Sequence, residues 1–128
     1  MAVALDACQH HSVKTVLIVD DHSGFRAAAR RMLVSDGFDV VGEAADAAEA
    51  LEACARLHPE AVLLDVQLPD VDGFEIAARL RSNGYRPEVV FTSTRDEVEF
   101  GSLVARSGAR GFIPKAELSG AKLAALLN

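Results

Sequence analysis

Side chains that can bind metal ions or act as nucleophiles follow short apolar segments at four places in this sequence. The clearest case is the unbroken apolar run Ala61-Val62-Leu63-Leu64, which ends in Asp65. Such a run is typical of a strand buried on both faces of a parallel sheet, and ligands bind outside the carboxyl ends of such strands. We therefore expect one shared site at one edge of a sheet. Its candidate side chains are Asp20, Asp21, Asp65, Thr92, Ser93 and Lys115.

The three acidic side chains of this set predict a divalent cation site. Clustered carboxylates repel one another unless a cation lies among them, and Mg²⁺ suits carboxylates, a carbonyl oxygen and open water positions. A carboxylate beside Mg²⁺ can attack a phosphoryl group, while the cation, a lysine and a hydroxyl neutralise the phosphoryl oxygens. Asp65 is the predicted nucleophile because it follows the central strand, whereas Asp20 and Asp21 lie beside it as metal ligands.

The segment after Asp65 predicts a tight loop that leads directly into a helix. Leu68-Pro69-Asp70 favours a turn. The run Asp72-Gly73-Phe74-Glu75 resembles a capping box. In such a box the Asp72 side chain accepts a hydrogen bond from a backbone N–H of the first turn, and the Glu75 side chain bonds back to the backbone N–H of Asp72. We expect this loop to be compact and to pack next to Asp65.

The elements that must position these side chains alternate between strand and helix five times. The apolar segments predict strands at 13–19, 38–41, 61–64, 89–91 and 112–113. Apolar periodicity and capping residues predict helices that begin near Ser23, Asp46, Gly73, Arg95 and Ser119. This order predicts an α/β fold, a doubly wound parallel sheet with helices on both faces.

Length and charge restrict the class of protein further. A chain of 128 residues is predicted to form one domain with its own core. The net charge is −6 and no basic run exceeds Arg30-Arg31, so direct nucleic acid binding is not expected. The apolar runs have the length of strands, and Asp6 follows the opening MAVAL, which predicts neither a signal peptide nor a membrane span. We expect a soluble, cytoplasmic protein.

The amino terminus shows no sustained periodicity, so we predict a flexible tail at 1–12 and a single domain at 13–128. Cys8, His10 and His11 lie close together in this tail, but three ligands without a closing fourth make a poor metal site. Cys54 falls on the apolar side of the second helix and is interpreted as a core residue. Two cysteines build no disulfide framework, which favours a reducing compartment.

The predicted helix at 95–107 has the least regular pattern in the chain. Gly101 lies inside it, and its apolar residues do not share one inward stripe. We expect Phe100, Leu103 and Val104 to form an exposed patch, so that the surface made by residues 95–127 binds an output partner or a second copy of the chain.

The ordered set of Asp20-Asp21, Asp65 within DVQLPDVDG, Thr92-Ser93 and Lys115 resembles the response regulator receiver domains of bacterial two-component signalling. The resemblance spans 14–127. It implies a flavodoxin-like (βα)₅ fold with strand order 2-1-3-4-5. It also implies that a sensor histidine kinase or a phosphotransfer protein phosphorylates Asp65 in a Mg²⁺-dependent reaction. Such a domain is a phosphorelay switch rather than an enzyme, because it catalyses only its own phosphorylation and dephosphorylation.

The resemblance further implies a role for each residue that matches the family's motif. Asp21, Asp65 and the backbone carbonyl of Gln67 would bind Mg²⁺, with Asp20 helping through a water molecule. Thr92 and Lys115 would hold the phosphoryl oxygens.

Three further positions carry finer roles in the same resemblance. Ser93 matches the small residue that leaves room for the phosphodonor, and Phe112 matches the aromatic side chain whose rotamer follows phosphorylation. Gln67 and Thr94 stand where the family tunes the lifetime of the phosphoryl group.

One departure from the family's pattern concerns the peptide bond after Lys115. The family commonly has Lys-Pro with a cis bond, whereas Ala116 follows here. A cis bond to alanine costs roughly 2.5 to 4 kcal/mol. A trans peptide with a shifted loop and a strained cis peptide are both compatible with the sequence.

Two other functions compete with the signalling switch. A Mg²⁺-dependent phosphohydrolase with an aspartyl nucleophile would need a second acid two residues after Asp65, where Gln67 stands. A pseudo-receiver would serve only as a docking module without phosphorylation. The run GARGFIPKAELS resembles receivers attached to helix-turn-helix output domains, so both a stand-alone receiver and one part of a DNA-binding regulator fit the sequence.

Overall fold

The structure is a computed structural model that describes residues 14–81, 84–95 and 100–127. Within these residues the strands are β1 (Thr15–Val19), β2 (Asp39–Ala44), β3 (Ala61–Asp65), β4 (Glu88–Ser93) and β5 (Gly111–Pro114). The helices are α1 (Ser23–Ser35), α2 (Ala47–Leu57), α3 (Gly73–Leu80), α4 (Gly101–Ser107) and α5 (Gly120–Leu127). A short 3₁₀ turn, Lys115–Glu117, lies between β5 and α5.

The strands form one parallel sheet in the order β2-β1-β3-β4-β5. The predicted α/β fold is therefore confirmed, including the flavodoxin-like strand order. The register pairs Val19 with Leu64, and Asp65 with Thr92. Strands β1, β3 and β4 consequently end at nearly the same level, and the polar residues at their carboxyl ends meet at one edge of the sheet.

Two apolar layers cover the sheet because its central strands are buried on both faces. On one face, α2, α3 and α4 pack against Leu17 and Leu64. On the other face, α1 and α5 pack against Ile18 and Leu63. Strand β3 is buried along its whole length, as its unbroken apolar run predicted. Cys54 lies in the first of these layers, which confirms its interpretation as a core residue.

Three helices begin at capping residues that the sequence indicated. The Asp46 side chain accepts a hydrogen bond of 2.8 Å from the backbone N–H of Glu49. The Asp72 side chain accepts one of 2.9 Å from the backbone N–H of Glu75. Ser119 Oγ accepts one of 3.1 Å from a backbone N–H in the first turn of α5. Each bond satisfies one of the donors that a helix start leaves without a partner.

Two details of the predicted helix starts are wrong. Glu75 pairs with Arg79 one turn later instead of reaching back to Asp72, whose backbone forms an antiparallel bridge with the preceding loop. Ser23 is the first helical residue of α1 rather than its cap. The extended residue before the helix is His22, whose backbone N–H donates to Asp20 Oδ1 at 2.9 Å and so turns the chain into α1.

Strands β2 and β4 are longer than their apolar segments predicted. Strand β2 continues through Glu43 to Ala44, and β4 continues through Thr92 to Ser93. Polar side chains continue these ladders because the pairing is made by backbone groups. The predicted start of the first strand at Val13 lies outside the described residues.

Helix α4 differs most from its predicted range of 95–107. It begins at Gly101, directly after Phe100, and residues 96–99 lie outside the described part of the chain. Glycine weakens a helix interior, and here it occupies the first helical position. Val104 is buried, so the expectation of an exposed patch is wrong for this residue, whereas Leu103 is 44% exposed. Phe100 is only partly buried and packs against the core.

The peptide between Lys115 and Ala116 is trans, as are the other peptide bonds of the described residues. This outcome agrees with the energetic cost of a cis bond to alanine. The predicted tail at 1–12, with Cys8, His10 and His11, lies outside the described residues. None of the helices in the described part of the chain combines the length and the apolar content that a membrane crossing requires.

The closest backbone approach near the acidic edge occurs at Gly73, and it yields a stability prediction. A Cβ atom at Gly73 would lie 2.5 Å from the carbonyl oxygen of Asp65 and 3.0 Å from the Cα atom of Val66. Backbone atoms cannot yield to such a contact, so Gly73→Ala should lower the free energy of unfolding by about 1 to 3 kcal/mol. Urea denaturation monitored by circular dichroism measures the change.

The matched control is Gly24→Ala in the first turn of α1, because a Cβ atom there would meet nothing within 4 Å. Alanine favours a helix over glycine by up to about 1 kcal/mol, so this variant should be as stable as the wild type or more stable. Equal stability of the two variants would contradict the proposed contact at Gly73.

Candidate functional site

A lysine joins two buried carboxylates at the carboxyl edge of the sheet. Lys115 follows β5, and its Nζ atom lies 2.6 Å from Asp20 Oδ2 and 3.2 Å from Asp65 Oδ2. The side chain of Asp20 is fully buried and that of Asp65 is 5% exposed. The ends of β1, β3 and β5 are thus connected by one ion-paired group.

The backbone around Asp65 holds its carboxylate in a defined orientation. Asp65 Oδ1 accepts a hydrogen bond of 2.9 Å from the backbone N–H of Gln67, and Oδ2 faces Lys115. The following loop is tied down by Asp70, whose carboxylate accepts hydrogen bonds from the backbone N–H groups of Ala47 and Ala48 at the start of α2. The sequence predicted this loop to be tight, and the structure shows which contacts make it so.

Asp21 and His22 form the solvent-facing side of the site. His22 Nδ1 lies 3.1 Å from Asp21 Oδ1 and 3.2 Å from Asp20 Oδ1. One ligand atom from each of Asp20, Asp21, His22 and Asp65 lies within 4.8 Å of the others. The structure therefore brings together the three acids that the sequence predicted, and it adds an imidazole.

Thr92 and Ser93 lie beside Asp65 at the end of β4 but have different surroundings. Both are almost completely buried. Among the described residues, the Oγ1 atom of Thr92 has no hydrogen-bond partner, whereas Ser93 Oγ accepts a bond of 3.0 Å from the backbone N–H of Arg95. A buried hydroxyl without a partner is unfavourable by roughly 1 to 3 kcal/mol. Thr92 is therefore available to donate to a group bound next to Asp65.

Two residues of α1 position the acidic pair and the lysine. The Arg26 guanidinium donates to the carbonyl oxygen of Asp20 at 2.6 Å and to Glu43 at 3.0 Å. The Phe25 ring lies below the Lys115 ammonium, with 4.6 Å between Nζ and the ring centroid. A cation over an aromatic face is attracted to it, so the ring helps to hold the lysine in place.

The site opens to solvent through a cleft of about 240 Å³. Its lining includes Gln67 and Thr94, which the sequence analysis placed near the phosphoryl position. Phe112 lies behind the site rather than in the cleft, and its ring centroid is 6.1 Å from that of Phe100. A larger cleft of about 610 Å³ lies between α2 and α3, away from the acidic edge.

The buried charges of the site alter the acidities of its groups. Burial raises the pKa of the Asp65 carboxyl, and the nearby Asp20 carboxylate raises it further, although the Gln67 N–H and Lys115 act in the opposite direction. Burial acts to lower the pKa of Lys115, but the carboxylates of Asp20 and Asp65 outweigh it and the pKa is raised. Lys115 therefore holds its proton more firmly than a free lysine, and Asp65 loses its proton less readily than a free aspartic acid.

The donor set fits a hard divalent cation such as Mg²⁺. Carboxylate oxygens from Asp20, Asp21 and Asp65 converge on one side of the cleft, and oxygen is the ligand type that Mg²⁺ prefers. Lys115 neutralises only part of the charge of the three acids. A further positive charge would remove the repulsion that remains.

The sequence analysis missed His22, Phe25 and Arg26 as parts of this site. His22 directly follows the acidic pair, and this adjacency was the available signal. Phe25 fitted the apolar stripe of α1 and Arg26 an exposed helix face, so neither pattern indicated a contact with residues of the acidic edge.

Comparisons with known proteins agree with this geometry. The family model for the response regulator receiver domain matches residues 16–128. A Pseudomonas aeruginosa protein described as "Putative transcriptional regulator" is 40% identical over 102 residues, which cover 80% of this chain and 49% of that protein. The DNA-binding transcriptional activator EvgA of Escherichia coli K12 is 30% identical over 101 residues, which cover 79% of this chain and 50% of EvgA. The chain spans about half the length of these curated relatives.

Among solved structures, the signal receiver domain of the "putative response regulator NarL" from Mycobacterium tuberculosis superposes with a TM-score of 0.78. The two chains are 35% identical, and the match covers 89% of this chain and 96% of that one. The similarity thus extends over most of both chains.

The raised pKa of Asp65 predicts how a substitution there changes stability. At a pH above the folded-state pKa of Asp65, the ionised Asp65 carboxyl destabilises the folded protein. This effect disappears when the pH falls below the unfolded-state pKa of about 3.9, because the carboxyl is then protonated in both states. In the presence of a chelator, Asp65→Asn should therefore be more stable than the wild type at pH 7. This advantage should shrink as the pH falls toward 4, and urea denaturation at several pH values measures it.

The control is Asp39→Asn, because Asp39 is an exposed carboxylate at the start of β2, outside the acidic cluster. Its effect on the free energy of unfolding should stay within about 0.5 kcal/mol. An Asp65→Asn variant that is less stable than the wild type at pH 7 without metal would contradict the prediction.

Proposed function

Because the chain belongs to the response regulator receiver domain family, we propose that it is a signalling phosphoacceptor in which Asp65 receives a phosphoryl group. The observation that carries this proposal is the buried Asp65 carboxylate next to the Lys115 ammonium, with Thr92 as its register neighbour on β4. Among the described residues the buried Thr92 hydroxyl has no hydrogen-bond partner. An ammonium and a hydroxyl on the groups next to a nucleophile are suited to bind the oxygens of the group that it receives. In this proposal residues 13–128 form the receiver domain.

The transfer is a displacement at phosphorus. A carboxylate oxygen of Asp65 attacks the phosphorus atom of a phosphohistidine, a new O–P bond forms, and the P–N bond of the donor breaks. The bonding electrons remain on the imidazole nitrogen of the donor, which then takes up a proton. Water later attacks the phosphorus atom of the aspartyl phosphate, the O–P bond to Asp65 breaks, and inorganic phosphate leaves as the Asp65 carboxylate is restored. The chain thus catalyses only its own modification.

Lys115 and Thr92 stabilise the phosphoryl oxygens in this reaction. Lys115 Nζ lies 3.2 Å from Asp65 Oδ2, so a phosphoryl group on that carboxylate would be placed next to the ammonium. The Thr92 hydroxyl would gain the hydrogen-bond partner that it lacks. Preorganised donors of this kind act most strongly in a site from which water is largely excluded.

A Mg²⁺ ion fits the same proposal, with Asp21, Asp65 and the Gln67 carbonyl as its ligands and Asp20 acting through water. When bound, the ion supplies positive charge that neutralises the phosphoryl oxygens and the acids. The residues of the chain orient it, and the Gln67 N–H keeps the Asp65 carboxylate in place. Ser93 leaves room for the donor, while Gln67 and Thr94 at the cleft tune the lifetime of the phosphoryl group.

The proposed partners follow from the family and from the relatives. A cytoplasmic sensor histidine kinase or phosphotransfer protein would supply the phosphoryl group. EvgA is a DNA-binding transcriptional activator, and this chain matches about half of its length. We therefore infer that the domain controls an output such as transcription through a partner surface, without direct contact with nucleic acid.

Asp65 phosphorylation is tested with Mg²⁺ and acetyl phosphate, whose P–O bond breaks as the Asp65–phosphoryl bond forms. Mass spectrometry after borohydride trapping should find one label, on Asp65. Excess chelator should abolish the label without unfolding the protein, because no core contact depends on the ion. The Asp65→Asn variant should carry no label, and Lys115→Ala should reduce the rate at least about tenfold.

Asp36→Asn is the control for a general effect of removing a carboxylate, because Asp36 accepts a hydrogen bond from the Gly120 N–H away from the site. It should be labelled like the wild type. A label on Asp20 or Asp21 would contradict the assignment of the nucleophile. Undiminished labelling with chelator would contradict the role of the metal.

We place the output surface on α4, β5 and α5, where aromatic contacts lead away from the site. The ring centroids of Phe74 and Phe100 are 6.2 Å apart, and those of Phe100 and Phe112 are 6.1 Å apart. A phosphoryl group that draws the Thr92 hydroxyl inward would change the space available to Phe112 on the neighbouring strand. Leu103 is exposed on α4 and is available to bind a second copy of the chain.

Leu103→Asp should weaken self-association of the phosphorylated protein at least about tenfold, because an interface anchor carries more than 1 kcal/mol. Labelling of Asp65 should stay unchanged. Val34→Asp on α1 is the matched control, since Val34 is 53% exposed on the opposite face of the sheet. Sedimentation velocity measures the association. A phosphorylated wild type that remains a monomer, or equal effects of both variants, would contradict this surface.

A further inference from the structure

The imidazole of His22 has a place in the acidic cluster that the phosphorylation chemistry does not use. Its Nδ1 atom lies 3.2 Å from Asp20 Oδ1 and 3.1 Å from Asp21 Oδ1. It also belongs to the group of four ligand atoms, completed by Asp65, that lie within 4.8 Å of one another. Cis ligands at metal–ligand distances of about 2.1 Å are separated by about 3 Å. The two distances from His22 Nδ1 to the carboxylate oxygens therefore suit ligands that share one ion.

We propose that His22 Nδ1 is a further ligand when a divalent first-row transition ion, such as Co²⁺ or Zn²⁺, occupies the acidic cluster. This inference rests on the proposed function, because it assigns a metal to the site at which Asp65 acts. Imidazole nitrogen is a good ligand for these ions, whereas Mg²⁺ prefers oxygen and retains its waters. His22 would therefore increase the preference of this site for transition ions over Mg²⁺.

The local backbone makes His22 suited to this task. It is the extended residue before α1, and its backbone N–H donates to the same Asp20 Oδ1 atom that faces its ring. Its side chain makes no capping bond to the helix. The ring is 68% exposed at the mouth of the cleft, so an ion can reach it from solvent.

The same contacts also fit a second explanation, in which a protonated imidazole forms ion pairs with Asp20 and Asp21. In that arrangement His22 would take the place of the metal ion instead of binding it. The two explanations differ in what happens when Co²⁺ binds. If His22 is a ligand, its Nδ1 atom stays bound to the Co²⁺ ion. If His22 is an ion-paired imidazolium, the Co²⁺ ion displaces it from the carboxylates.

The experiment uses the full chain with His10→Asn and His11→Asn, so that the tail contributes no imidazole. Calorimetric titrations with Co²⁺ and with Mg²⁺ compare this background with His22→Ala. We expect His22→Ala to lower the Co²⁺ affinity at least about tenfold and the Mg²⁺ affinity less than about twofold. His58→Asn is the matched control, because His58 stacks on Tyr85 outside the site, and it should leave both affinities unchanged.

Proton NMR of the Co²⁺-loaded background gives a second readout that does not depend on a measured affinity. An imidazole bound through Nδ1 should show a strongly shifted, exchangeable Nε2–H resonance, and His22→Ala should remove it. Equal Co²⁺ affinities with and without His22, or the absence of that resonance, would overturn the proposal. The acetyl phosphate reaction of the unsubstituted protein with Mg²⁺ tests the proposed function separately. A labelled Asp65 together with equal Co²⁺ affinities would overturn this inference alone. Failure of the background to bind either ion would overturn the metal site and this inference together.

Discussion

Two carboxylates buried at the ends of neighbouring strands are the constraint on which the rest of this structure depends. Asp20 and Asp65 lie next to each other because β1 and β3 are paired in register up to Val19 and Leu64. Buried like charges are unfavourable unless a cation compensates them, and Lys115 supplies one from the end of β5. The order of strands in the sheet is therefore tied to the electrostatics of the site.

Much of the local structure serves to hold these three groups in place. Arg26 binds the backbone of Asp20, the Gln67 N–H binds Asp65, and the Phe25 ring supports Lys115. The absence of a side chain at Gly73 lets the first turn of α3 approach the end of β3. One side of the site is thus rigid and buried, while its solvent side is formed by Asp21 and His22. A partner or an ion can approach through the cleft on that second side.

In the proposed function, the same architecture would join the site to a surface on which the signal is read. Asp65 and Thr92 are register neighbours, and β5 lies beside β4 with Phe112 among its residues. The ring of Phe100 lies between those of Phe74 and Phe112. Packed side chains of this kind have discrete arrangements, so a change in Thr92 has a physical route to α4.

The sequence by itself determined the fold class and the reactive edge of this protein. Unbroken apolar runs that end in Asp65, Asp20-Asp21 and Thr92-Ser93 allow few arrangements other than a parallel sheet with these groups at its carboxyl edge. Caps such as Asp46 and Asp72 could be identified because their bonds are local. Only the tertiary structure decided the start of α4, the burial of Val104 and the inclusion of His22 in the acidic cluster. These features depend on contacts between elements distant in the chain, and a periodic pattern contains no information about such contacts.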